Sequence, residues 1–264
     1  MKNRKCIYTA LTGGYDNLNQ PQVIDDSYDY ICFSNDIKQS NIGVWQIRPI
    51  PFTHKDSKRV AMYAKFHPHI LLKEYDYSVW IDANKLIKDS FIYSRADQLY
   101  SINEKVAHIL HPYRDCIYKE AFDCMLYGTD KVVPLMRTIN FLLKHGYPFR
   151  HGLYENNLIY WNHHSDVVIK ALDIFWPIYS AGSRRDQLSL NYAYYISDLH
   201  PVLFLPKGEH MGDSMHIERV NHTSKDKRHK YTKFNFHMNS MKIRIVRLLF
   251  LMKGYDLRYR QLYS

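Results

Sequence analysis

The 264-residue sequence predicts an α/β fold with a mostly parallel central sheet covered by helices. Short apolar runs at residues 5–11, 28–34, 44–50, 77–81 and 105–110 read as strands, and from residue 56 onward they alternate with stretches of helical spacing. A hydrophobic content of 46%, including 15% aromatic residues, supplies a sizeable core and excludes a disordered chain over most of the length.

The first strand, KCIYTAL, is closed by Thr12-Gly13-Gly14, a tight-turn signal. YDYICFS repeats the pattern and stops at Asn35-Asp36, and VWQIRPI alternates up to Pro51. Residues 56–72 have helical spacing through Val60, Ala61, Ala64 and Lys65, with Pro68 expected to end or kink the helix. In the next strand Tyr77, Val79 and Ile81 alternate with Ser78 and Trp80, the composition of a strand buried on both faces. A helix is expected over 90–101 and a strand over 105–110, followed by one or two helices over 118–145, broken near Gly128 and Pro134. Residues 153–161 read as a strand, 165–174 and 186–196 as helices, and 202–205 as the close of the ordered part.

Charge divides the chain into a body, residues 1–219, and a tail, residues 220–264. The tail holds 11 Lys and Arg against Asp226 and Asp256, so it carries +9 of the net +10. A neutral body with a basic end points to an acidic surface touched by one end of the protein, either membrane headgroups or a nucleic acid. The body has no basic stripe, so no nucleic-acid partner is expected. Within the tail, residues 243–252 are apolar but interrupted by Arg244 and Arg247, too short to span a bilayer and without one clean apolar face.

The four cysteines form no CxxC pair and sit in apolar contexts, as buried free thiols of a reducing compartment do. The basic start is followed by too few apolar residues for a secretory signal. A cytoplasmic location is expected, with the tail placing the protein peripherally on the inner face of the cytoplasmic membrane.

Ligands of open α/β sheets bind outside the carboxyl ends of the strands. The strand ends here carry Thr12-Gly13-Gly14, Asn35-Asp36 and Asp82-Ala83-Asn84. Asp82 and Asn84 can aim two oxygens the same way once the strand stops pleating, and oxygen pairs suit hard cations such as Mg²⁺ or Mn²⁺ that arrive with substrate phosphates. The same triplet is also compatible with an Asx turn.

Several blocks in order resemble the glycosyltransferase-like domain of plant mucilage- and turgor-related proteins and of bacterial polysaccharide clusters. They are IYTALTGGYDNL, YDYICFSND, the segment holding Arg59, Lys65, His67, Pro68 and His69, YDYSVWIDAN, HPYRDCIYKEA and SRRDQLSL, spread over about residues 5–205. The resemblance implies a GT-A fold, a nucleotide-sugar donor, UDP-linked by preference, and Mn²⁺ or Mg²⁺ on a DxD-type motif, distantly like family 8 glycosyltransferases. Asp82 and Asn84 match the DxD positions, with Ala83 between them. Asn84 is a departure, because a neutral amide replaces the second carboxylate and weakens the cation site.

In that frame Thr9, Ala10, Thr12, Gly13 and Tyr15 would lie by the base and ribose, with Asp36 accepting hydrogen bonds from uracil or ribose. Lys65 would meet a phosphate, and Arg59 the sugar or the motif carboxylate. A late histidine would be the third metal ligand, His210 first and His216 second. Asp186, followed by Gln187, is the leading acid for donor-sugar or acceptor contact, Glu155 the second, and His111 and Arg114 would line the cleft. The expected activity is hexosyl transfer to a glycan or lipid-linked acceptor in bacterial lipopolysaccharide or capsule assembly, the basic tail resting on an anionic membrane. A catalytically inactive nucleotide-sugar- or glycan-binding module is the alternative, and Asn84 is its main support.

Overall fold

The computed structural model describes residues 3–14, 17–220 and 233–257. In chain order its elements are β1 (Lys5–Ala10), β2 (Asp29–Phe33), β3 (Asn41–Ile42), β4 (Trp45–Arg48), α1 (Ser57–Phe66), α2 (Pro68–Leu71), β5 (Tyr77–Ile81), β6 (Lys85–Ile87) and α3 (Phe91–Ser101). They continue with β7 (Val106–Leu110), α4 (Ile117–Leu126), α5 (Val132–Lys144), β8 (Tyr154–Trp161), α6 (Asp166–Ala181), α7 (Asp186–Ser197), β9 (Val202–Leu203), β10 (Ile217–Arg219) and α8 (Lys233–Met252).

Eight strands form one sheet in the order β3-β4-β2-β1-β5-β8-β7-β9. β1 runs parallel to both β2 and β5, with Tyr8 beside Ile31 on one side and Trp80 on the other, and β2 runs parallel to β4. β8 is antiparallel to β5, setting Ile81 against Leu158. This α/β architecture with a mostly parallel centre is the expected one.

Contacts divide the chain into two compact units. The first comprises residues 1–110, 155–172 and 197–226. Its strands are buried on both sides because two different helices cover them. Ile7, Val79, Ile81 and Tyr160 pack with Ile92, Ala96 and Leu99 of α3. The opposite face carries Tyr8 and Trp80, edge-to-face at 5.2 Å, and Trp161 against Phe66 of α1 at 6.3 Å. Burying each such aromatic side chain contributes about 1.5–3 kcal/mol. α1 starts where Asp56 accepts the Lys58 N–H at 3.2 Å and stops before Pro68, which opens α2.

The second unit comprises residues 111–154, 173–196 and 227–264. Tyr118, Phe122 and Met125 of α4, Leu135, Ile139 and Leu142 of α5, and Ile243, Val246 and Phe250 of α8 share its core. The division does not follow residue 219, because α8 of the basic segment packs onto α4. The break within 118–145 falls at Gly128, whose φ of 62° suits a residue without Cβ, whereas Pro134 sits in the first turn of α5, where its missing N–H costs nothing.

Residues 202–205 do not close the ordered part. β10 pairs antiparallel with β6, setting Ile217 against Ile87, and α8 follows. Two strands of three residues each have too little periodicity to be read locally. All four cysteines are buried and free, and burial pushes the Cys32 and Cys124 thiols up to about 12, so neither is a thiolate at neutral pH.

Candidate active site

The feature to build from is the carboxyl end of β5. The strand stops because Asp82-Ala83-Asn84 turns, the Lys85 N–H donating to Asp82 O at 2.9 Å. The turn is pinned from three directions. Asp82 N–H donates to Asn157 O of β8, Asn19 Nδ2 donates to Ala83 O, and Val220 N–H donates to Asn84 O, each at 2.9 Å.

The Asp82 side chain shares a face with Trp80, two residues earlier on the strand. Trp80 Nε1 donates to Asp82 Oδ1 at 2.7 Å, and Lys65 Nζ reaches the same oxygen at 3.2 Å. Neither bond occupies Oδ2. Lys65 is only 2% exposed, and lysines are almost never so deeply buried without a partner. Its ammonium also lies 5.2 Å from the Trp80 ring centre, and the Tyr8 hydroxyl holds its backbone by donating to Lys65 O at 2.8 Å. Lys65, expected to meet a phosphate, thus pairs with the motif carboxylate, one of the two partners expected for Arg59; Arg59 lies half-buried on α1.

Glu155, at the start of β8 within this unit, completes an ionic cluster. Burial, and to a lesser degree the Asp82 charge, push its carboxyl above the ordinary range, against Lys85 and His210, which pull it down. Its Oε2 accepts the Met211 N–H at 3.2 Å. Burial lowers Lys85, while Asp82 and Glu155 favour its charge. His210 Nδ1 lies 3.1 Å from Leu110 O. His216 is engaged elsewhere: its Nδ1 is 2.7 Å from Asp89 Oδ2 and its ring stacks on Phe91. Among the described residues no three or more His, Cys, Asp or Glu side chains gather as a metal cluster.

The first strand end belongs to the same unit. Gly13, at φ +74°, donates its N–H to Asp36 Oδ2 at 2.5 Å, and a Cβ there would meet Ser57 Oγ at 2.7 Å. Thr12 Oγ1 donates to Ser57 O at 2.8 Å. Asp36 thus spends one oxygen on closing the loop. The neighbouring Ala10 is buried, and the Thr9 hydroxyl and Asn157 Oδ1 are buried polar atoms with no hydrogen-bond partner among the described residues. Tyr15 lies outside the described residues.

His111, Arg114, Asp186 and Gln187 belong to the second unit, where His111 and Arg114 lie beside a residue not singled out in the sequence. Glu120 is almost wholly buried, with Arg114 Nε 2.5 Å from one carboxylate oxygen and Arg185 Nη2 2.9 Å from the other. Arg114 also pairs with Asp123 at 3.1 Å and lies 3.1 Å from His111 Nε2. Gln187 bridges Arg185 and Tyr154 O at 2.6 and 2.9 Å. Asp186 is buried in the first turn of α7.

Trp80 and Lys85 were also missed. Each was legible in principle: Trp80 lies two residues before Asp82 on a strand, and Lys85 directly follows the motif.

The family model described as TOD1/MUCI70, glycosyltransferase-like domain, matches residues 1–149, more than half of the chain. The chain belongs to this family. The matched part of this TOD1/MUCI70 chain runs from β1 through α5 and contains Lys65 and the Asp82-Ala83-Asn84 turn, whereas Glu155, Asp186, Gln187, His210 and the SRRDQLSL block lie beyond it. Among solved structures, the chain is similar to the apo structure of the WbbM bifunctional glycosyltransferase, at 14% identity and a TM-score of 0.41. That likeness covers 77% of this chain and 38% of the other. No curated protein matches the chain.

Proposed function

We propose that the protein transfers a sugar from a nucleoside diphosphate donor, UDP-linked by preference, to a glycan or lipid-linked acceptor in the assembly of a bacterial surface polysaccharide, lipopolysaccharide or capsule. The observation that carries this reading is the buried Lys65 ammonium paired with Asp82 at the carboxyl end of a central strand, in a chain of a glycosyltransferase-like family. Transfer needs an acceptor hydroxyl to attack the anomeric carbon while the nucleoside diphosphate leaves. Lys65 would stabilise the negative charge that grows on the leaving phosphates.

The donor set is compatible with a divalent cation: Asp82 keeps Oδ2 outside its bonds to Trp80 and Lys65, and Asn84 adds an amide oxygen two residues on. Oxygen donors of this kind suit Mn²⁺ or Mg²⁺, with donor phosphates filling further positions and His210 as a candidate third ligand. When bound, such an ion would draw charge from the leaving diphosphate.

For the proton on the acceptor hydroxyl, Glu155 of the first unit is taken as the base, with Asp186 of the second unit as the alternative. A base works only when ionised, and burial raises the Glu155 carboxyl above its ordinary 4.5. The acidic limb of the kcat/KM profile is therefore expected at a pH above 4.5, and Glu155→Gln should lower kcat and remove that limb. The same shift makes ionised Glu155 a cost to the fold: its protonated form is favoured when folded, so this contribution is present at low pH and lost as pH rises through the raised value. Glu155→Gln should accordingly raise Tm at pH 7 and leave it unchanged at pH 4; a lowered Tm at pH 7 would remove the burial argument.

Asn84 in place of a second carboxylate, and the ammonium already on Asp82, favour the second reading, an inactive nucleotide-sugar- or glycan-binding module. A thermal-shift screen of nucleotide sugars with and without Mn²⁺, followed by donor hydrolysis, tests both. A true donor at 100 times its Kd adds about 2.7 kcal/mol of apparent stability. Stabilisation with turnover supports the transferase, stabilisation without turnover the binding module, and no stabilisation by any nucleotide sugar would sink both.

A further inference from the structure

The two sides of α8 are unequal. Ile243, Val246 and Phe250 are buried in the core shared with α4, Asn239 Nδ2 donates to Leu126 O at 3.1 Å, and the Arg247 guanidinium lies 4.8 Å from the Phe122 ring centre. Met238, Met241, Ile245, Leu248, Leu249 and Met252 are all exposed, Ile245 and Leu248 at 57% and Met252 at 77%. At ~100° per residue these six fall within an arc of roughly 100°. Lys242 and Lys253 border one side of the arc and Arg244 the other, and α8 contains no acidic residue. The clean apolar face that residues 243–252 lack as a linear stretch is therefore present. It draws on residues outside that window, and the packed core takes Ile243, Val246 and Phe250 away from it.

Isolated exposed apolar side chains are ordinary, but a continuous stripe flanked by cations has the pattern of a helix lying in the plane of a bilayer interface. We propose that the exposed arc of α8 docks on an anionic bilayer, with Ile245 near its midline, Leu248 at its Arg244 edge, and Lys242, Arg244 and Lys253 at headgroup level. Charge complementarity selects this occupant: residues 220–264 carry 11 basic side chains and two acidic ones, which attract phosphatidylglycerol-like headgroups and repel a second copy of the same segment. No described helix is long and apolar enough to cross a membrane, and a helix of 20 residues, about 30 Å long, lies along the surface instead. The inference rests on the reading that the acceptor is presented at a membrane. Vesicle binding is measured without donor, so its failure is distinguishable from a failure of transfer.

The test is co-sedimentation of the full chain with phosphatidylcholine vesicles, with and without phosphatidylglycerol, at low and high salt. The wild type should bind the anionic vesicles at least about tenfold more tightly than the neutral ones, the difference shrinking as salt screens the headgroups. Ile245→Glu with Leu248→Glu should abolish binding with an unchanged Tm, because both side chains are exposed. If that pair unfolds the chain, Ile245→Ser with Leu248→Ser should reduce binding in the same direction. Undiminished binding by a folded variant, or no wild-type binding to anionic vesicles, would overturn the proposal. So would a lipid-free dimer, seen by sedimentation velocity, that the variant loses, since the arc would then be covered by a second copy.

Discussion

Asp82→Ala should lower donor turnover by at least about 10²-fold, the size of effect seen when one group stabilising transition-state charge is removed. The same substitution strips the partner from an ammonium that is 3% exposed at its side chain. Breaking a fully buried pair costs about 3–5 kcal/mol, and because the Asp82 side chain is 36% exposed the expected loss here is smaller, about 1–3 kcal/mol. Asp82→Asn separates the two effects. It preserves an acceptor for Trp80 Nε1 and so should hold Tm within a few degrees, yet it removes the carboxylate and should lose turnover nearly as fully. Donor hydrolysis by purified variants, read beside their melting curves, decides: normal turnover by a folded Asp82→Ala would remove this residue from the site.

Glu120→Ala is expected to have the largest effect on stability. Glu120 is 2% exposed and faces two guanidinium groups at 2.5 and 2.9 Å, so its loss leaves like charges together in a dry setting. A cost of about 3–5 kcal/mol follows, which for a chain of this size lowers Tm on the order of 10 °C. Glu120→Gln keeps the shape and one acceptor, and should fall between the variant and the wild type. Because Arg185 holds Gln187 at 2.6 Å, a partly unfolded cluster should also loosen the start of α7, where Asp186 sits. A Tm drop of less than about 2 °C in urea-free buffer would mean that the arginines relax into solvent and that the network contributes little.

Much of the fold was legible because its signals are local. Alternation of Tyr77, Val79 and Ile81 with Ser78 and Trp80 marked a strand covered on both faces, and Pro68 marked the end of α1. The element boundaries in these regions shifted by only one or two residues, as is usual where a hydrogen-bonded ladder ends and a turn begins. Where the signal was short or distributed, it failed. β6 and β10 have three residues each and exist because Ile87 and Ile217 meet across 130 residues of chain. Glu120 was one acid among several in HPYRDCIYKEA, and only the approach of Arg185 from α7 makes it a hub.

The candidate site divides along the same line. Sequence by itself placed Asp82-Ala83-Asn84 at the carboxyl end of a buried strand and set it among blocks of a glycosyltransferase-like family, because strand period, turn residues and motif order are all written along the chain. Tertiary structure alone decided that Lys65 rather than Arg59 meets Asp82, that His216 is taken by Asp89, that the chosen residues divide between two units, and that α8 shows one apolar arc. The physical reason is that helix periodicity fixes which residues share a face but not what that face meets. Partners across 17 or 127 positions are selected by register, burial and the need of each buried charge for an opposite one.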